Sequence, residues 1–311
     1  TMAKVALPEM RRFGYHDRVA TGVIAAGGSL GILIPPSVVL AIYGIITEQD
    51  IGQLFIAGFI PGLLAVFMYL LAMQFVVWMD PKAVPAGRRH SWSERLKSTQ
   101  EIWAVLAIFL FVIGGIYGGI FTPTEAASMG AGGTFLIAVF RRSLSRRQFI
   151  DCLIETVTTT GALFTILIGA LLFGFFLAVT ETPQRLADLL IALPFGPHGI
   201  LIILLAFYLL MGCFMESLSI IILTVPIIFP TIVALGFDPI WFGVIVVMTV
   251  ELGLITPPYG INVFVIKSIA TDVKLGTIFK GVLPFVFIDI IRLGILIAFP
   301  WLVLFLPNTM D

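Results

Sequence analysis

The chain has 311 residues, 59% of them hydrophobic, and a mean hydropathy of +1.10. Only 12% are Asp, Glu, Lys or Arg, about half the share of a soluble globular protein, which excludes a soluble enzyme, a disordered chain and a nucleic-acid binder. The 18 basic and 18 acidic residues balance, leaving no global field for a polyanionic partner; the remaining class is a polytopic helical membrane protein.

A spanning helix needs about 20 mostly apolar residues. Stretches of that kind are predicted at 19–46, 51–79, 103–121, 124–140, 152–180, 199–235 (as two half-spans), 239–270 and 277–306. They are long and continuous, unlike the short alternating strands of a membrane barrel. Arg11, Arg12 and Arg18 flank the first span, and the connector 47–50 after it has no Lys or Arg. The linker 80–101 carries Pro81, Pro85 and Gly87, then Ser91 and Glu94, with Arg88, Arg89, Arg95 and Lys97. It reads as a cytoplasmic loop with a short surface helix leading into Trp103. Thr122-Pro123-Thr124-Glu125 has an N-cap hydroxyl, Pro at the first helical position and Glu at the third, a capping box. Arg141, Arg142, Arg146 and Arg147 follow at the far end of 124–140. Thr182-Pro183 and Asp238-Pro239 are weaker helix starts, the connector 236–239 is free of Lys and Arg, and Lys267, Lys274 and Lys280 flank the stretch before the last span. The positive-inside rule places the basic set in the cytoplasm and the bare connectors outside. That alternation closes only if 199–235 enters from outside and returns there, as a re-entrant hairpin does. Cys152 and Cys213 lie far apart inside apolar runs and indicate neither a disulfide framework nor a metal site.

The two ends of the chain match each other. Pro8 and Pro230, Gly14 and Gly236, Leu30-Gly31 and Leu252-Gly253, and Pro35-Pro36 and Pro257-Pro258 share one offset. Ile51-Gly52-Gln53-Leu54-Phe55 then resembles Leu275-Gly276-Thr277-Ile278-Phe279, and Pro61 resembles Pro284. Ordered matches of this kind mark an internal repeat. The connector at Gly14 is basic and that at Gly236 is not; after the Pro-Pro spans the pattern reverses. The copies are therefore expected to face opposite ways, as in the inverted repeats of secondary transporters. The second copy is preceded by Met215-Glu216-Ser217 and an apolar leg, whereas the first begins inside its own returning leg. The expectation is an N-terminally truncated portion of a longer polypeptide.

The chemistry is expected at the two Pro-Pro segments. Consecutive prolines remove two backbone donors and clash with the preceding turn, so the helix breaks. Broken backbone at membrane depth is tolerated where it is buried in protein or lines a cavity. Freed carbonyls suit a small cation, and the N-terminus of the following half-helix suits a carboxylate. Ser29, Gly31, Ile32, Pro35, Pro36 and Ser37 form the first candidate segment; Gly253, Thr256, Pro257, Pro258, Gly260 and Asn262 form the second; Glu216 and Ser217 stand at the hairpin tip. Glu216 either coordinates a cation or caps the returning leg. Glu251 pairs or faces a cavity, and Asp289 with Arg292, three apart on one helix face, most simply neutralise each other. Gly27-Gly28-Ser29-Leu30-Gly31 fits the esterase pattern G-x-S-x-G, but that motif needs a strand-to-helix elbow, a His and an acid. His16, His90 and His198 all fall in loops. The pairs Gly27/Gly31, Gly58/Gly62 and Gly115/Gly119 let helices approach closely. Neither an H-E-x-x-H, a Walker A motif nor a cysteine cluster occurs, so metalloproteolysis and ATP hydrolysis find no support.

The segments "GGSLGILIPPSVVLAIYGIITEQDIGQLFIAGFIPGLL", "GIYGGIFTPTEAASMGA", "FMESLSIIILTVPIIFP" and "ELGLITPPYGINVFVIKSIA" closely resemble the large membrane (M, or DctM-like) subunit of tripartite ATP-independent periplasmic (TRAP) transporters. The resemblance covers essentially the whole chain. It implies a bacterial or archaeal inner-membrane subunit, not an enzyme, that uses a sodium gradient to import an organic acid anion, with Na+ as coupling ion and no cofactor. It implies as partners a small membrane (Q) subunit, an extracytoplasmic substrate-binding (P) protein and the bilayer, but no nucleic acid. The fold implied is an all-α polytopic, inverted-repeat elevator with broken helices and a re-entrant hairpin. On that pattern, 1–50 belongs to the transport domain of repeat 1 and 51–102 to a scaffold helix and cytoplasmic linker. Scaffold helices opening repeat 2 occupy 103–150, and a membrane helix with its periplasmic connection occupies 151–198. Repeat 2 of the transport domain spans 199–275, and 276–311 is a C-terminal scaffold helix. The candidate segments named above would lie beside two sodium sites. The missing first hairpin tip would complete one of them, so the portion alone is not expected to transport. The competing readings are a channel or energy-independent pore, a sodium–anion symporter without a binding protein, and a structural scaffold subunit.

Overall fold

The computed structural model describes residues 2–85 and 91–310, the side chains of 95–102 excepted. Arg88, Arg89 and the side chains of Arg95 and Lys97 therefore lie outside the described residues. The described backbone is helical with no strand: α1 (Met2–Arg12), α2 (Asp17–Leu33), α3 (Val38–Thr47), α4 (Ile51–Met79), α5 (Trp92–Tyr117), α6 (Pro123–Phe140), α7 (Arg146–Val179), α8 (Thr182–Ile191), α9 (Pro197–Phe214), α10 (Ser217–Ala234), α11 (Pro239–Ile255), α12 (Ile261–Ile269), α13 (Leu275–Ala298) and α14 (Trp301–Leu304). Among the described residues, six segments are long and apolar enough to cross a membrane: Asp17–Thr47, Ile51–Met79, Arg146–Val179, Pro197–Phe214, Ser217–Ala234 and Leu275–Ala298. This is a polytopic helical membrane protein. The expected half-spans within 199–235 are each 18 residues, about 27 Å at the helical rise, nearly the hydrocarbon thickness.

Local chemistry sets the helix starts. Thr122 accepts the Glu125 N–H, and the Glu125 carboxylate accepts that of Thr122, closing the expected capping box. Ser91 and Glu94 do the same for α5, which runs unbroken from the surface turn into the apolar run at Trp103. The start of α7 differs from the expected 152: Ser145 and Gln148 cap each other, drawing Arg146 and Arg147 into the first turn of a 34-residue helix.

The chain divides into two compact units. One comprises residues 87–175. Within it α5 and α6 pair, with Phe111 and Phe121 edge to face at 5.2 Å and Phe121 lying where a Gly115 side chain would be. Val105, Leu171 and Phe175 are 73%, 63% and 72% exposed; apolar exposure on this scale suits contact with lipid.

The other unit holds 1–86 and most of 176–311, and in it the repeat becomes structural. Helices α2 and α11 begin and end at positions 222 apart, each 17 residues long. The turns before them are alike bond for bond. Phe13, Gly14 and Tyr15 donate to the carbonyls of Glu9, Arg11 and Met10; Leu235, Gly236 and Phe237 donate to those of Thr231, Val233 and Ile232. Gly14 and Gly236 have φ of +83° and +81°, a left-handed conformation that favours glycine at a helix C-terminus. Both Pro35-Pro36 and Pro257-Pro258 peptides are cis. Packing follows the same exchange: α2 lies on α13 as α11 lies on α4, and α3 meets α10 as α12 meets α1. At the centre is α11, every residue of which from Ile240 to Ile255 is buried. Its Trp241 Nε1 donates to the Leu296 carbonyl at 3.0 Å, and the Pro239 carbonyl accepts from Tyr43 Oη at 2.7 Å.

Candidate functional site

Each break lies between two helices and opens in extended backbone, at Ile34 in the first copy and Thr256 in the second. The Leu30 carbonyl accepts from Ile34 N, but the next two carbonyls, Gly31 and Ile32, face the positions of Pro35 and Pro36 and have no i+4 donor. In the second copy Gly253 and Leu254 stand the same way before Pro257 and Pro258. There the Gly253 carbonyl is recovered by Thr256 N at 3.0 Å, while Thr256 Oγ1 donates to the Leu252 carbonyl at 2.6 Å. Downstream, Ser37 caps α3 by accepting Leu40 N. Ahead of α12 the N-cap is Gly260, one residue beyond the repeat counterpart of Ser37, with φ of +62° and no side-chain cap.

Close backbone contacts hold both breaks. The first rests on α4, where a Cβ on Gly58 would meet the Leu33 carbonyl at 3.0 Å and one on Gly62 would meet Ile34 at 3.1 Å. The Gly58/Gly62 pair thus performs the packing expected of it. The second rests on the end of α9: Gly260 N donates to the Cys213 carbonyl at 3.1 Å, and a Cβ on Gly253 would meet Gly212 Cα at 2.6 Å. Cys213, buried, has its Sγ 3.8 Å from the Pro257 carbonyl.

The structure brings some candidate residues together. Ile32 of the first copy and Asn262 of the second share a cavity of about 290 Å³ between α1, α2 and α12, with Gly28, Ala25 and Ile266. At the α9–α10 junction the exposed Glu216 carboxylate accepts Ser219 N at 3.2 Å, so its geometry here is that of a helix cap. Ser217 beside it is buried, and its Oγ has no partner among the described residues. Ser29 is buried and donates to the Ala26 carbonyl at 2.7 Å. Pro36, Pro257, Pro258 and Tyr259 are exposed.

A buried polar cluster lies between the copies. Asp289 and Arg292 form the expected pair at 3.0 Å, with side chains 4% exposed. Tyr69 on α4, which the sequence did not single out, donates its hydroxyl to Asp289 Oδ2 at 2.6 Å, and its ring lies 5.9 Å from the guanidinium. Glu251, buried one turn before the second break, lies within electrostatic reach of Arg292 and Asp289; its Oε1 has no hydrogen-bond partner among the described residues. Under the repeat, Glu251 is the counterpart of Ser29 and Arg292 that of Tyr69. That equivalence is the one signal by which Tyr69 was findable.

Toward the ends of these helices, Arg11 bridges the copies, reaching Asp17 at 2.7 Å and Asp272 at 2.8 Å. The Arg11 hydrogen bond holds the Asp272 carboxyl below its ordinary value.

Comparison with known proteins adds the family. The profile described as "Tripartite ATP-independent periplasmic transporter, DctM component" matches residues 1–302. The chain is 35% identical to the sialic acid TRAP transporter large permease protein SiaM of Vibrio cholerae, over 99% of this chain and 71% of that protein. It is 37% identical to the C4-dicarboxylate TRAP transporter large permease protein DctM of Pseudomonas aeruginosa, over 99% and 71%. It is 33% identical to the ectoine TRAP transporter large permease protein TeaC of Halomonas elongata, over 97% and 70%.

Proposed function

Because the chain belongs to the DctM family of tripartite ATP-independent periplasmic transporters, we propose that it couples inward sodium movement to the import of an organic acid anion. The family is a transporter permease, not an enzyme, and the chain is a multi-pass protein of the inner membrane. Large permeases of this family work with a small permease and a periplasmic binding protein, and one relative is a fused permease, the isethionate protein DctMQ of Oleidesulfovibrio alaskensis. For this chain the proposed partners are the corresponding Q and P components. The relatives named above carry sialic acid, C4-dicarboxylates and ectoine; the cargo proposed here is a carboxylate.

One observation carries the sodium reading: two helix breaks at repeat-equivalent positions, each leaving carbonyls that proline cannot satisfy. Gly31 and Ile32 in the first break, and Leu254 in the second, supply hard, uncharged oxygen donors of the kind a small monovalent cation prefers to soft ligands. Ser29, Ser37, Thr256 and Asn262 add oxygens beside them, and the orphaned Ser217 hydroxyl supports a polar ligand at the hairpin tip. The half-helices α3 and α12 begin just past the breaks and turn their positive ends toward an anion. Opposite orientation of the copies, inferred from their basic and bare connectors, gives alternating access by an elevator motion of the broken-helix body. The gradient suffices, since each charge crossing about 100 mV yields roughly 2.3 kcal/mol.

The test is uptake by the complete complex in proteoliposomes with its binding protein. Uptake should stop when external sodium is replaced by potassium at the same membrane potential; undiminished uptake would end the sodium reading.

A further inference from the structure

We propose that the cavity where α2, α4 and α13 meet binds the phosphate headgroup of an anionic phospholipid. The site is separate from the helix breaks and rests on the membrane location alone, not on sodium coupling. Its origin is a helix crossing. A Cβ on Gly22 of α2 would collide with the Gly281 carbonyl, and one on Gly281 of α13 would collide with the Arg18 carbonyl. Two bare backbones in contact bring Arg18 and Lys280 to one cavity mouth. The cavity holds about 320 Å³, and α4 closes it with Met73, Val76 and Met79.

Charge and polarity separate across this volume. Arg18 and Lys280 meet a single acid, Asp80, so the mouth carries one net positive charge. The Arg18–Asp80 contact is long, at 3.4 Å, and half-exposed. It leaves most guanidinium donors available to a second acceptor. Lys280 makes no ion pair among the described residues. The rest of the wall is almost wholly apolar, which free phosphate has no use for and a lipid glycerol and acyl chain do. Depth agrees: Trp78, next to the wall residue Met79, is 76% exposed with its ring tilted against Phe75, which also lines the cavity, and exposed tryptophans settle at the headgroup level. Basic pockets between helices on the cytoplasmic side are suited to anionic headgroups, and Arg18 and Lys280 belong to the basic set that the positive-inside rule puts on that side.

Native mass spectrometry of the full-length permease decides it, with phosphatidylglycerol, phosphatidylcholine and inorganic phosphate titrated separately. Phosphatidylglycerol should be retained in preference to phosphatidylcholine. Lys280→Gln should weaken that retention about fivefold, and Arg18→Gln similarly. Lys280→Arg should keep it. Because Lys280 is exposed, its variants fold, and unchanged phosphatidylcholine binding confirms this. Millimolar inorganic phosphate should not displace the lipid. Equal retention of the two lipids, or wild-type retention by Lys280→Gln, overturns the site. Displacement by inorganic phosphate overturns its assignment to lipid.

Discussion

Arg292 should matter more to stability than Asp289, although the two form one ion pair. Breaking a buried pair by removing one partner costs about 3–5 kcal/mol, because the survivor is left charged and dry. The geometry makes the two removals unequal. In Asp289→Asn the amide oxygen still accepts the Tyr69 hydroxyl, and Arg292 keeps Glu251 within electrostatic reach. That variant should fall at or below the low end, about 3 kcal/mol. In Arg292→Met the Asp289 carboxylate loses its ion-pair partner inside the bundle with the Glu251 carboxyl beside it, and the cost should reach about 5 kcal/mol. Replacing a buried ionic group entirely by well-packed neutral residues is often neutral or stabilising. The triple change Glu251→Gln, Asp289→Leu, Arg292→Met should therefore be much more stable than Arg292→Met alone. The assay is the thermal midpoint of the solubilised full-length permease, read as the monodisperse fraction left after heating. Equal costs for the two single variants, or a triple variant at least as unstable as Arg292→Met, would refute the reasoning.

Two further outcomes follow from the geometry. Gly253→Ala places a methyl 2.6 Å from Gly212 Cα, on backbone that has no rotamer to yield, so α9 and α11 must separate at about 1–3 kcal/mol or more. The same assay should show a lowered midpoint, whereas Gly27→Ala, with open space around it, should leave it unchanged. The Asp272 carboxyl is depressed by Arg11, so its stabilising contribution is present above the ordinary carboxylate range and is lost as pH falls through the lowered value. Asp272→Asn should flatten the acid limb of a stability–pH profile below about pH 4; an unchanged limb would show that the bridge contributes nothing.

The parts of this protein legible in its sequence are those governed by neighbours in the chain. Pro35-Pro36 and Pro257-Pro258 break their helices by removing their own donors, and Thr122-Pro123-Thr124-Glu125 caps α6 through a bond three residues long; both were readable. Ser145 and Gln148 use the same local chemistry, but basic side chains between them read as a loop, and the start of α7 was placed late. Glu216 was legible as both cap and ligand, and of these the capping bond, from Ser219 N, is present in the structure. Other features depend on distant residues. Nothing near Tyr69 marks it as polar-partnered, since Asp289 lies 220 positions away. The Gly22–Gly281 crossing, which assembles the lipid cavity, joins two glycines that each look ordinary in their own helix.

The repeat also has an electrostatic side. Its backbone is copied closely, down to the hydrogen bonds of the Gly14 and Gly236 turns, but the side chains at matching places are not. Ser29 and Tyr69 in one copy stand where Glu251 and Arg292 stand in the other. One turn before its break the second copy carries the Glu251 carboxyl where the first carries the Ser29 hydroxyl, so on the sodium reading two ions held at the breaks would feel different potentials. On the sodium reading they cannot be degenerate. Ions would load in a preferred order, and sodium activation of transport would show two distinct affinities in place of one.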